Sequence, residues 1–285
     1  MSTTLKMTPS EIDDLRRRLE EERFEFRPLQ YAHFQARGDG VIVSAYKSGK
    51  VVVQGKNAAA FLGDDAVAPP KLDVAVAGSD ESGKGDYFGP LVVAAVVVAP
   101  GEEEEIRSLG VRDCKQMADS SILRVAAALR ERFPHGVVKL DPPGYNEAHA
   151  RDGNVAIFLS RMHAQALAEA VGGADDCGLI VIDKFTSVAR LKGALAEESL
   201  TMPVEIRPKA EDNPAVAAAS VLARAEFLLD LRELGHEWGV ELPKGAGRPV
   251  DVAARDIYRS GGRATLDKIA KTHFRTTSKV MQQEF

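Results

Sequence analysis

Residues 78–99 read GSDESGKGDYFGPLVVAAVVVA, and this stretch decides the fold. An apolar segment, Val74–Ala77, leads into it and reads as a short strand. An acid pair, Asp80 and Glu81, follows, then a Gly-Lys-Gly turn at 83–85, then the nearly non-polar run Leu91–Ala99. A run that lacks the alternation of a half-exposed strand is expected to lie in the middle of a sheet covered on both faces. Gly78, Gly83, Gly85 and Gly89 allow close approach of backbone to a ligand, and Lys84 carries a charge that suits phosphate. The pattern is not G-x-x-x-x-G-K-[ST], and it is not G-x-G-x-x-G at a strand-to-helix turn, because a second strand follows.

Downstream the rhythm is that of an α/β domain. Strands are expected at Val137–Leu140, Leu179–Ile182 and Val204–Arg207, the second wholly apolar as in a buried parallel sheet. Asn154–Val171 reads as a helix with Val155, Leu159, Met162, Ala166 and Ala170 on one face, and Pro214–Leu234 as a long alanine-rich helix with proline in its first turn. Upstream, Ile12, Leu15 and Leu19 recur at helical spacing, so residues 8–22 form an amphipathic helix, with Ser10 as its cap. Strands follow at Tyr31–Ala36, Val41–Tyr46 and Lys50–Gln54, joined at Gly-Asp-Gly 38–40 and Ser-Gly 48–49. Two units result. Residues 1–62 form a small α+β domain, 63–72 (GDDAVAPPKL) a linker, and 73–285 the α/β domain.

The chain has 285 residues, 45% hydrophobic and 28% charged, an ordinary globular composition long enough for two cores. Cys114 and Cys177 have no metal or redox spacing, which fits a reducing compartment. The start MSTTLKMTPSEIDDLRRR has no signal-peptide pattern and no apolar run is long enough to cross a bilayer, so a soluble cytoplasmic protein is expected. A net charge of −5 speaks against a general nucleic-acid coat protein. From Lys244 to Phe285, however, nine Lys/Arg stand against four Asp/Glu, which reads either as a solvated helical face or as a phosphate track.

Carboxylates recur where strands end: Asp80 and Glu81, then Asp183 after LIVI, then Glu211 and Asp212 before Pro214. Taken singly, Asp183 reads equally well as a helix cap. Taken together they are a site, because strand ends of open α/β sheets are where active sites gather and because clustered carboxylates resist ionising unless a cation lies between them. An oxygen-only set suits Mg²⁺ or Mn²⁺ rather than zinc, and two such ions about 3.5–4 Å apart serve phosphodiester hydrolysis.

DESGKGDYFGPLVVAA at 80–95 resembles the signature of the type 2 ribonucleases H, and specifically ribonuclease HIII, where the turn is Gly-Lys-Gly rather than the Gly-Arg-Gly of ribonuclease HII. Four further segments match in order: RDCKQM (112–117), VIDKF (181–185), PKAEDNPAVAAASVLAR (208–224) and KTHFRTT (271–277). AYKSGKVVVQG at 45–55 resembles the N-terminal domain of ribonuclease HIII, itself similar to a half of the TATA-box-binding protein.

The resemblance implies a ribonuclease H-like mixed sheet flanked by helices, behind a small α+β substrate-binding domain. It implies an endonuclease that hydrolyses the RNA strand of RNA·DNA hybrids with Mg²⁺ or Mn²⁺, leaving 5′-phosphate and 3′-hydroxyl ends. Asp80, Glu81, Asp183 and Glu211 fall on the four catalytic, metal-binding carboxylates, with Asp212 left as a substitute for the last. Gly83, Lys84 and Gly85 fall on the turn that reads 2′-hydroxyls, Lys115 lies near the phosphates, and Lys47 and Lys50 flank a hairpin of the substrate-binding domain. The alternatives are a ribonuclease HII-like enzyme excising single ribonucleotides and a non-catalytic hybrid binder. Tyr258 lacks the surroundings of the ribonuclease HII tyrosine and reads as an ordinary helix residue. A monomer is expected.

Overall fold

The computed structural model describes residues 2–55, 72–111 and 117–282. The chain divides into two compact units, Met1–Ala68 and Pro69–Phe285. Most of the expected linker, together with Cys114 and Lys115, lies outside the described residues.

Among the described residues, the N-terminal unit is one helix on a five-stranded antiparallel sheet. Its elements are β1 (Ser2–Lys6), α1 (Pro9–Glu21), β2 (Glu25–Arg27), β3 (Ala32–Gly38), β4 (Val41–Tyr46) and β5 (Lys50–Gly55), in the spatial order β1-β5-β4-β3-β2. The cap of α1 is Thr8, not Ser10: its hydroxyl accepts from the Glu11 amide while the Glu11 carboxylate accepts from the Thr8 amide. The three expected strands are present with small shifts, and β1 and β2 add an edge on each side. Alternation sends Phe34, Ala36, Val43, Ala45, Val51 and Val53 under α1, where Ile12 and Leu19 are buried.

The second unit is built on a sheet of order β10-β9-β6-β7-β8. Its strands are β6 (Val76–Ser82), β7 (Leu91–Val98), β8 (His135–Leu140), β9 (Leu179–Asp183) and β10 (Val204–Arg207). β6, β7 and β8 pair antiparallel, whereas β6, β9 and β10 run parallel. The helices are α2 (Glu103–Ser108), α3 (Asp119–Arg132), α4 (Pro142–Asp152), α5 (Val155–Gly172), α6 (Val188–Glu197), α7 (Pro214–Glu237), α8 (Arg248–Ile269, broken at Gly262) and α9 (Arg275–Gln282). β6 is the middle strand; β7 lies beside it, interior between β6 and β8, and all eight of its residues are buried. Even-numbered β6 residues join the core beneath α7 and odd-numbered ones the core beneath α5, so the sheet is covered on both faces. Asn154 caps α5 through Ala156 and Asn213 caps α7 through Ala215. The strand expected at Val74–Ala77 runs Val76–Ser82, so Asp80 and Glu81 lie within it rather than after it.

Candidate active site

Strand pairing assembles the site. The parallel ladder of β6 with β9 runs to Ser79 opposite Ile182, so Asp80 and Asp183 are the next residues of neighbouring strands. The ladder of β9 with β10 ends at Asp183 opposite Arg207. The chain then turns through Lys209 (φ 58°) into a 3₁₀ turn, Ala210–Asp212. The Ala210 amide donates to Asp183 Oδ1 at 3.3 Å, which ties the turn carrying Glu211 to the strand carrying Asp183. Asp212 is engaged by the Arg207 guanidinium, whereas Glu211 forms no ion pair among the described residues.

Alternation along β6 separates the two adjacent acids. Gly78 and Asp80 look toward α7, where Ser220 hydrogen-bonds Asp80. Ser79 and Glu81 look toward α5: Ser79 Oγ lies 2.8 Å from His163 Nδ1, and Glu81 Oε2 lies 3.4 Å from His163 Nε2. Lys84 Nζ approaches Glu81 Oε1 at 2.9 Å and stands 5.7 Å from the centre of the Phe185 ring. The electrostatic outcome differs accordingly. Burial, then the neighbouring Glu81 charge, push Asp80 up to about 6, despite hydrogen bonds from Ser220 and the Glu81 amide. Burial also presses Glu81 upward, but His163 and then Lys84 outweigh it and hold the carboxyl at about 2.

The Gly-Lys-Gly turn is shaped by its neighbours. Gly83 has φ +86°, and a Cβ there would stand 2.1 Å from the Pro90 carbonyl oxygen. Gly85 faces open space. Lys84 is half-exposed and bound to Glu81 rather than unengaged. The exit of the turn is clamped by Lys271, which is fully buried and donates to the carbonyls of Asp86 at 2.9 Å and Gly89 at 2.6 Å. Burial lowers its pKa to about 7. Lys47 and Lys50 are exposed beside the β4–β5 hairpin. Among the C-terminal cations, Lys244, Lys279 and Arg263 are paired with Asp119, Asp251 and Asp267, and Tyr258 packs against the core beneath α7. Sequence reading missed His163, Ser79, Arg207 and Lys271. The visible trace of the first was a lone histidine beside Met162 in an otherwise apolar helix stripe.

Among the described residues no three His, Cys, Asp or Glu are gathered tightly enough to hold an ion. The donor chemistry nevertheless fits a hard divalent cation. The carboxylates are oxygen-only donors, and Asp80 is an acid whose charged form the protein alone disfavours.

A family model described as Ribonuclease HII matches residues 77–277, and a domain of unknown function matches 2–64. Ribonuclease HIII of Protochlamydia amoebophila is 32% identical over 291 aligned positions, covering 98% of this chain and 96% of that one. The chain belongs to the ribonuclease HIII family. Ribonuclease HIII of Streptococcus pneumoniae (strain Taiwan19F-14) is 35% identical, with 98% of each chain covered. Among solved structures, Bst-RNase HIII in complex with Mn²⁺ matches with a TM-score of 0.72 and 33% identity over 99% of both chains. As a ribonuclease HIII the protein is a hydrolase of the ribonuclease H type, and its mixed sheet is the ribonuclease H-like fold that the motifs implied.

Proposed function

We propose that the protein cleaves the RNA strand of RNA·DNA hybrids internally, leaving 5′-phosphate and 3′-hydroxyl ends, with Asp80, Glu81, Asp183 and Glu211 holding Mg²⁺ or Mn²⁺. The observation that carries the reading is the row made by the ends of β6 and β9, where Asp80 and Asp183 stand on neighbouring parallel strands and the Glu211 turn is tied to Asp183. Held by these carboxylates, such cations would supply Lewis-acid chemistry to a water and to the leaving oxygen of a phosphodiester. Glu211 rather than Asp212 is the fourth acid, because Arg207 already neutralises Asp212. Lys84 is paired with Glu81, and with a cation on that carboxylate its ammonium would be available to a phosphate. Gly83 and Gly85 present backbone to 2′-hydroxyls, the group that marks RNA. Lys115 is carried over from the resemblance as a phosphate contact.

Residues 1–62 act as a substrate-binding domain before a catalytic domain at 73–285, Lys47 and Lys50 supplying part of the charge. The protein works in the cytoplasm as a monomer. No helix among the described residues is long and apolar enough to cross a membrane, and Cys177 is a free thiol.

The test compares duplexes bearing four consecutive ribonucleotides with duplexes bearing one, in Mg²⁺. A lone ribonucleotide forfeits two or three neutral hydrogen bonds of about 0.5–1.5 kcal/mol each, so kcat/KM falls tens- to hundreds-fold. Equal kcat/KM on both substrates overturns the hybrid specificity in favour of single-ribonucleotide excision. Deleting residues 1–65 should raise KM about tenfold and leave kcat within a few-fold, because only binding remote from the chemistry is lost.

A further inference from the structure

The His163 side chain is fully buried on the α5 face of the sheet. Phe185 stacks on it, with ring centroids 4.7 Å apart and planes 20° apart. Ser79 Oγ lies 2.8 Å from Nδ1. Nε2 makes no short hydrogen bond among the described residues and faces Glu81 Oε2 at 3.4 Å. Stacking and the serine contact fix the ring. The Nε2 edge is turned to the Glu81 carboxylate, an arrangement that an N–H at this nitrogen favours over a lone pair, and the Nδ1 edge is turned to the Ser79 hydroxyl.

An apolar core has no need of this arrangement. The surrounding stripe is Leu159, Met162 and Ala166, and a buried imidazole costs stability unless its nitrogens are used. What the arrangement does is grip Glu81 from inside. Lys84 holds Oε1 from the solvent side and is half-exposed, hence displaceable. His163 Nε2 faces Oε2 at 3.4 Å from the core side, and the buried ring cannot leave.

We propose that His163, oriented by Ser79, is a positioning residue that holds the Glu81 carboxylate with Oε1 presented to an incoming divalent cation. The inference rests on Glu81 being a metal ligand, as argued above. It belongs to the class of contacts in which a buried partner orients a ligand and sets its affinity.

Four variants of the full chain test it: His163→Phe, which refills the volume without an N–H, His163→Gln, whose amide N–H reaches toward the place of Nε2, Ser79→Ala and Glu81→Gln. Mn²⁺ affinity is measured by titration calorimetry, kcat and KM on a hybrid duplex, and folding by thermal melting. His163→Phe should stay folded but melt below the wild type, because it strands the Glu81 carboxylate, and should bind Mn²⁺ about 10–100-fold more weakly and lose kcat by a similar factor, with KM for the hybrid unchanged. His163→Gln should recover most of both losses. Ser79→Ala should show a smaller loss in the same direction. Wild-type Mn²⁺ affinity in folded His163→Phe, or in Ser79→Ala if His163→Phe does not fold, overturns the inference and leaves a core histidine. Wild-type Mn²⁺ affinity in Glu81→Gln overturns the ligand assignment itself, and this inference with it.

Discussion

The two faces of the catalytic sheet treat adjacent carboxylates in opposite ways. On the α7 face Asp80 meets a serine hydroxyl and alanine-rich helix, and burial drives its pKa up. On the α5 face Glu81 meets His163 and Lys84, and its pKa goes down. One residue of separation and the two-residue period of a strand produce the contrast. The pair therefore holds one well-compensated carboxylate and one whose charge is poorly compensated. The contrast shows how a sheet can leave one of two adjacent acids poorly compensated, which is the condition under which a cation, if the proposed ligands hold one, gains most.

The largest effect expected is on turnover. Asp80→Asn and Glu81→Gln should each reduce kcat by about a thousandfold or more, since each removes a proposed ligand on which the barrier depends. They should then part company in the metal-free protein. Asp80→Asn should melt higher than the wild type, because it removes an uncompensated buried charge, and Glu81→Gln lower, because it strands His163 and Lys84. Thermal melts in chelator decide this, and shifts of the same sign would break the contrast between the faces.

Close packing gives a second comparison. A Cβ on Gly78 would lie 2.3 Å from the Val216 backbone nitrogen of α7, and one on Gly136 of β8 would lie 2.2 Å from the Ala166 carbonyl oxygen of α5. Each alanine substitution should cost about 1–3 kcal/mol or more by overpacking. Only Gly78→Ala should also lower kcat, by about tenfold, because moving α7 moves Ser220 away from Asp80 while β8 carries no proposed ligand. Denaturation and single-turnover assays separate the two outcomes.

The smallest effect is on pH. The Asp80 pKa is raised on folding from 3.8 to about 6, so the folded state binds more protons than the unfolded state between these values. Its contribution is therefore fully favourable below the unfolded value and is lost as pH rises through 6, by on the order of 1–3 kcal/mol. Glu81, depressed on folding from 4.5, stabilises above that value and loses its effect only as pH falls toward 2. In chelator, wild-type protein and Asp80→Asn should differ most in stability near pH 7 and converge near pH 4. Parallel profiles would show that Asp80 is compensated after all.

Much of this was legible before any coordinates. Strands β4 and β10 fall on the expected residues, and β7 ends one residue short of expectation, because unbroken apolar or alternating runs bounded by turn residues have few competing readings. β1 and β2 were missed because STTLK and EFR are short and mostly polar, and become strands only by pairing at the sheet edges. Asp80, Glu81 and Asp183 stood out through their flanks. His163 did not, because its hydroxyl partner lies 84 residues away.

Sequence alone thus determined the separation into a small α+β unit and an α/β unit, the family, and the oxygen-donor chemistry that suits a divalent cation. All of these depend on local pattern: periodicity, turn residues and the identity of the donor atoms. Tertiary structure decided which acid is compensated and which is left wanting, that Arg207 engages Asp212 beside a Glu211 with no ion pair among the described residues, and that Lys271 clamps the Gly-Lys-Gly turn. Those outcomes depend on burial and on partners brought together across the sheet, and neither is written in the spacing of residues along a chain.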